Sequence, residues 1–128
     1  MSEKKTIKKP FEIWTVKGVE YKLKLSTSAI IELESKLNSN LLNILNDGIP
    51  SLQIMAMLIH GALKKYNHGI SLNDVNDILD DYFEEGGSQL DLLQNVIIPI
   101  FNVSGFFTPE MVEAMEVKMK EANEKLNI

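Results

Sequence analysis

The feature that most constrains the fold is a change of apolar periodicity between Phe11 and Leu37. In the first part apolar residues alternate on both sides of a Lys17-Gly18 turn, and these are Phe11 and Ile13, then Tyr21, Leu23 and Leu25. In the second part the spacing becomes helical, and the residues on one stripe are Ala29, Ile30, Leu33 and Leu37. A period of two indicates strands and a period near 3.6 indicates a helix. This stretch therefore predicts a β-hairpin that leads directly into a helix.

Local signals support each part of this prediction. Gly18 can adopt the positive φ that a tight hairpin turn needs. The alternating residues predict one buried and one wet face for each strand. Ser26, Thr27 and Ser28 are all suitable N-caps for the helix that follows.

The remainder of the chain is typical of short helices separated by Gly, Asn, Ser and Pro. Their starts are indicated by Asn40, by Pro50-Ser51, by Ser71 and Ser88 with an acid three residues later, and by Thr108-Pro109-Glu110. The second to fourth of these helices carry apolar stripes that we expect in the core: Leu52, Met55, Ile59, Leu63 and Tyr66; Val75, Ile78, Leu79 and Tyr82; Leu90, Leu93, Val96, Ile97, Ile100 and Phe101. Pro99 should kink its helix or end it near Ile98. The fold class predicted is α+β, mostly helical, with an N-terminal β-hairpin followed by about five helices.

Length and composition indicate one domain. The chain has 128 residues, 45% of them hydrophobic, with no cysteine and a net charge of −5, which fits one compact core without disulfides. Residues 1–9 are rich in lysine and predict a mobile basic leader before a single domain at 10–128. The acidic balance argues against a nucleic-acid partner.

Enzyme chemistry finds no support in the sequence. His60 and His68 are the only histidines, and a catalytic zinc needs a third protein ligand. No nucleophile motif or phosphate-binding glycine loop occurs, so we expect no catalytic residue, no cofactor and no metal. The N-terminus lacks the apolar run of a signal peptide, and no apolar stretch reaches the ~20 residues of a membrane span. A cytoplasmic protein without a membrane partner is expected.

Two surfaces are candidates for binding a protein partner. The predicted terminal helix is polar except for a narrow apolar stripe, with two aromatic residues shortly before it, and flexible methionines suit adaptable interfaces. A second candidate is the acidic face of the helix that begins after Ser71, although a solvated surface is the simpler interpretation. The candidate residues are Met111, Val112, Met115, Met119, Phe106 and Phe107 for the first surface and Asp77, Asp81 and Glu84 for the second.

The order and spacing of several segments resemble a known family, the tail assembly chaperones of long-tailed bacteriophages and prophages of Gram-positive bacteria. The segments that carry the resemblance are the glycine turn at Lys17-Gly18, the strand Tyr21-Lys22-Leu23-Lys24-Leu25, Leu33-Glu34 before Leu37-Asn38, Asn40-Leu41-Leu42, Ala62-Leu63-Lys64-Lys65-Tyr66 and the stretch from Asp80 to Gly87.

This resemblance implies that residues 10–128 form a tail-assembly-chaperone-like domain. Such a protein would bind the tape measure protein, promote polymerisation of the tail tube protein and self-associate into homo-oligomers. It would act in the cytoplasm of the bacterial host and be absent from the mature virion. Two alternatives remain: a permanent tail-completion or connector protein of the virion, and a host-directed acidic regulatory module.

Overall fold

The structure, a computed structural model, describes residues 9–46, 48–108, 110, 111, 113, 114, 117 and 121. An antiparallel hairpin of β1 (Glu12–Val16) and β2 (Val19–Leu23) precedes the helices. The helices are α1 (Thr27–Leu37), α2 (Leu41–Asn46), α3 (Leu52–Lys64), α4 (Leu72–Glu84), α5 (Gln89–Leu92) and α6 (Ile98–Val103), with a π-helical turn at Leu93–Ile97 that joins the last two. The predicted α+β class, mostly helical and with an N-terminal hairpin, is confirmed.

The hairpin turn consists of Lys17 and Gly18 alone. Both have positive φ angles, 51° and 78°, as a two-residue type I′ turn requires. This turn pairs Val16 with Val19 and Trp14 with Tyr21. The register of the two strands is therefore fixed by the turn.

The predicted core face of β1 is wrong. Trp14 and Val16 are buried, whereas Ile13 is 46% exposed and Phe11 is half-buried. The cause is the turn register, because Trp14 lies opposite Tyr21 and directly opposed residues project from the same face of a sheet. The prediction for β2 holds at Leu23, which is buried.

Helix α3 is the centre of the fold. Its buried residues lie on most of its circumference, namely Met55, Ala56, Leu58, Ile59, Gly61, Ala62 and Leu63. A Cβ at Gly61 would lie 3.0 Å from Leu33 Cδ1 and 3.3 Å from Leu25 Cδ2, so glycine lets α1 and the end of the hairpin approach α3 closely. Tyr66 lies beyond the end of α3 and is exposed, so it does not extend the buried stripe as predicted.

A π-helical turn accommodates Pro99. The N–H of Ile98 donates to the carbonyl of Leu93, five residues back, and the wider turn relieves the clash that a proline ring makes inside an α-helix. The helix therefore continues to Val103 instead of ending near Ile98. The extra residue in this turn also changes which residues face inward, since Leu92 is fully buried and Leu90, predicted to be in the core, is exposed.

Helix α4 begins with a capping box. The Ser71 hydroxyl accepts a hydrogen bond from the Asp74 N–H at 3.0 Å, and an Asp74 carboxylate oxygen accepts one from the Ser71 N–H at 2.9 Å. The second bond favours the charged carboxylate and lowers the pKa of Asp74 below its ordinary value of 3.8.

The capping box should make part of the stability dependent on pH. The pKa of Asp74 is lower in the folded chain than in the unfolded chain. Asp74 therefore contributes its full stabilisation at pH values above its pKa in the unfolded chain, and this stabilisation is lost as the pH falls through its pKa in the folded chain. We expect Asp74→Asn to flatten the acid side of a plot of urea midpoint against pH below about pH 5. Asp77→Asn, on the same helix, is the matched control, and an equal flattening there would contradict the assignment to the capping box.

Candidate functional site: an apolar groove across three helices

An open groove crosses the helical face formed by α1, α3 and α4. Its first lobe encloses about 240 Å³ and is lined by Ala29, Glu32, Leu33, Lys36, Gln53, Met57, His60, Gly61, Lys64 and Leu72. Its second lobe encloses about 430 Å³ and is lined by Leu52, Gln53, Ala56, Leu72, Asn76, Leu79, Asp80 and Phe83. Gln53 and Leu72 line both lobes, so we treat the two as one groove.

Leu72 is the most accessible apolar anchor of the groove. It is the first residue of α4, directly after the Ser71 cap, and 41% of it is exposed. The buried residues Gly61 and Ala56 form part of the floor of the first and second lobe respectively. The groove therefore offers one exposed leucine and two apolar depressions next to each other, a concave apolar surface that an apolar side chain of another element can fill.

The rim of the first lobe carries an ion-pair network. Glu32 lies 3.5 Å from the Nζ of Lys36 and 3.6 Å from the Nζ of Lys64. Lys64, and then Lys36, lower the pKa of Glu32. With two lysines against one glutamate, this lobe has a small excess of positive charge, whereas Asp80 gives the second lobe a negative rim.

His60 also lines the first lobe. Its Nε2 lies 3.1 Å from the carbonyl oxygen of Ile70, a distance at which a ring N–H donates a hydrogen bond. Among the described residues, no three histidine, aspartate or glutamate side chains come together as metal ligands do. Over the same residues, no helix is long and apolar enough to cross a membrane.

The acidic face predicted on α4 is tied to the hairpin. The Lys17 N–H donates to both carboxylate oxygens of Glu85 at 3.1 Å, and the Lys17 Nζ lies 3.2 Å from Glu84 and 4.0 Å from Asp81. The hydrogen bond to Glu84 is the main cause of a raised pKa at Lys17. Carboxylates near the C-terminus of a helix oppose its dipole, and Lys17 compensates them.

Of the three predicted acidic residues, two therefore already have a partner within the chain. Asp81 and Glu84 contact Lys17, while Asp77 is exposed and lines a separate, open depression with Tyr21 and Ile70. The role of this face in binding another protein stays a prediction.

The structure describes only part of the apolar stripe predicted for the terminal helix. Met111 is exposed at 46% and helical, whereas Val112, Met115 and Met119 lie outside the described residues. Phe106 and Phe107, predicted to belong to the same docking surface, are half-buried and pack against the core. Their rings lie 4.7 Å and 6.3 Å from the Phe101 ring, centroid to centroid.

Sequence patterns alone did not single out the groove, although a signal for it exists. Leu72 and Phe83 lie beside the predicted core stripe of α4, so the apolar surface of this helix is wider than the part that its neighbours bury. An apolar stripe that exceeds what the core needs indicates a docking surface.

The fold and the groove define a small helical α+β protein with an open apolar surface. Residues 7–127 match the family described as a family of unknown function, DUF6096. Because this match spans nearly the whole chain, the protein belongs to that family. No curated protein matches the chain, and no solved structure matches it.

Proposed function

We propose that the protein is a phage tail assembly chaperone that holds amphipathic helical regions of the tape measure protein in the α1–α3–α4 groove. The observation that carries the proposal is the groove itself, an open apolar surface of two lobes with Leu72 accessible between them. An amphipathic helix that binds a groove presents apolar anchors at i, i+3, i+4 and i+7. The resemblance of the sequence to tail assembly chaperones supplies the identity of the partner.

The charge of the protein supports the same role. A net charge of −5 keeps a complex soluble while apolar surfaces are covered. Binding in the groove would bury the apolar stripe of the tape measure protein until tail tube subunits polymerise around it. As part of this proposal, the protein acts in the cytoplasm of the bacterial host and leaves before the virion is complete.

Co-purification with the tape measure protein tests the proposal. Leu72→Lys places a charge between the two lobes and should weaken the affinity for the tape measure protein at least about tenfold, which corresponds to about 1.4 kcal/mol, so that less of the co-expressed tape measure protein is recovered. Leu90→Lys is the matched control, because Leu90 has 40% exposure, also lies in the first turn of a helix and does not line the groove. Equal recovery with both variants would contradict binding in the groove.

Three observations separate this function from its alternatives. Mass spectrometry of purified particles should lack the protein, whereas a tail-completion or connector protein would be present in stoichiometric amount. A gene for a tail tube protein upstream and a very long tape measure gene downstream would support the chaperone. Recovery of a host regulator in place of the tape measure protein would favour the acidic regulatory module.

A further inference from the structure

The floor of the groove is the surface of α3, which contributes residues to both lobes. Gln53, Met57 and His60 follow one another at intervals of four and three residues, so they form one stripe along this helix. Met57 is half-buried and packs against the core, and a methionine side chain adapts its shape to different apolar neighbours. The floor therefore accepts apolar side chains of more than one shape.

The side of the groove towards α1 is basic. Lys36 and Glu32 belong to α1, and Lys64 lies on the same side because its Nζ is 3.6 Å from Glu32. The side chain of Lys36 is 57% exposed and that of Lys64 is 43% exposed. Two accessible ammonium groups thus stand against one carboxylate, and this side attracts acidic residues.

The side of the groove towards α4 is acidic. Asp80 lines the second lobe and is exposed. Asp77 and Glu84 precede and follow it by three and four residues, so they are its neighbours on the surface of α4. Among the described residues that line this lobe there is no lysine. A helix that lies along α3 therefore meets positive charge on one flank and negative charge on the other.

We infer that the groove selects amphipathic helices whose charges are divided between their two flanks, and that it binds each of them in one direction only. The apolar stripe lies on α3, acidic residues face Lys36 and Lys64, and basic residues face Asp80. Turning the helix end to end exchanges its flanks and brings like charges together, which is unfavourable. The inference rests on the proposed function only in taking an amphipathic helix as the occupant.

The division of labour in the groove follows from these contacts. The adaptable floor tolerates different apolar sequences, whereas the charged sides set the orientation, as the charged positions beside the apolar seam do in coiled coils. Charge pattern rather than apolar sequence then decides which helices bind.

Two synthetic peptides test the selection. Both are helices of about 18 residues, or five turns, with the same leucine stripe and the same numbers of glutamate and lysine. The divided peptide has glutamates on one flank and lysines on the other, and the mixed peptide alternates them on both flanks. In fluorescence anisotropy with the full chain, the divided peptide should bind at least about fivefold more tightly. This difference should shrink in about 0.5 M sodium chloride, which screens exposed charges.

Cross-linking tests the direction. The chain has no cysteine, so Gln53→Cys, at an exposed position in the first turn of α3, supplies a single reactive site. A divided peptide should form a disulfide with this site through a cysteine at one terminus and not through one at the other. Exchanging the two flanks of the peptide should make the opposite terminus react.

A pair of variants assigns the preference to the α1 side. Lys36→Glu should abolish the advantage of the divided peptide. Lys65→Glu is the matched control, because it changes the net charge equally at an exposed position that does not line the groove, and it should keep the advantage. Circular dichroism establishes that both variants are folded.

Equal affinity of the wild type for the two peptides, no binding of either, or equal cross-linking through both termini would overturn the inference. The tape measure protein is absent from these measurements. If its recovery still depends on Leu72 while the peptides show no charge preference, the inference fails and the proposed function stands.

Discussion

Replacing Trp14 by alanine should lower the free energy of unfolding by about 3–5 kcal/mol, the range for removing a large aromatic side chain from a core. Trp14 is 5% exposed and its ring lies 5.7 Å from the Tyr82 ring and 6.0 Å from the Tyr21 ring, centroid to centroid. The substitution removes the ring contact between Trp14 and Tyr82 of α4 as well as buried apolar area. Urea titration followed by far-ultraviolet circular dichroism measures the change.

The neighbouring residue provides the control. Ile13 projects from the other face of β1 and is largely exposed, so Ile13→Ala should change the free energy of unfolding by no more than about 0.5 kcal/mol. If Ile13→Ala cost as much as Trp14→Ala, the hairpin would present the opposite face to the core.

Packing rather than hydrogen bonding accounts for the contribution that we expect Trp14 to make to the free energy of unfolding. Within the described part of the chain, its indole N–H is buried without a hydrogen-bond partner, and an unpaired buried donor is unfavourable. Trp14→Phe should therefore retain more stability than Trp14→Ala, because it keeps an aromatic ring and removes the unpaired group.

The sequence identified the hairpin but not the face of β1 that enters the core. Both faces of this strand carry apolar residues. Alternation alone therefore assigns Phe11 and Ile13 to the core as readily as Trp14 and Val16. The two-residue turn contains the missing information, since it sets the pair Trp14 and Tyr21. Counting the register outward from Lys17-Gly18 would have corrected the prediction.

The π-helical turn could not be predicted from periodicity. A pattern that assumes 3.6 residues per turn places Leu90 in the core, but the turn at Leu93–Ile97 contains one extra residue and buries Leu92 instead. Pro99 indicated an irregularity in this helix, and only tertiary packing decides between a kink, an end and a widened turn.

The groove depends on how three helices separated in sequence come together. Helix caps and apolar stripes predicted α1, α3 and α4 individually, with Ser26, Ser51 and Ser71 as their N-caps. The groove also depends on the distances at which these helices pack and on the position of Leu72, which stays exposed at the start of α4. These features follow from packing distances, which the sequence of one chain does not contain.

Replacing Phe101 by alanine should also lower the free energy of unfolding by about 3–5 kcal/mol. Phe101 is fully buried in α6 and supports the rings of Phe106 and Phe107. A backbone hydrogen bond also joins these residues, because the Phe106 N–H donates to the carbonyl of Phe101 at 3.1 Å. Loss of this ring should therefore remove the support of Phe106 and Phe107 as well as open a cavity, and urea titration measures the change in the free energy of unfolding.

A double-mutant cycle distinguishes the packed arrangement from a free docking surface at Phe106. If the two rings pack as the structure has them, Phe106→Ala and Phe101→Ala should show a coupling energy of about 0.5–1.5 kcal/mol, as measured for aromatic pairs. A Phe106→Ala variant with unchanged stability and no coupling would return this residue to the partner-binding surface that its position before the terminal stripe suggested.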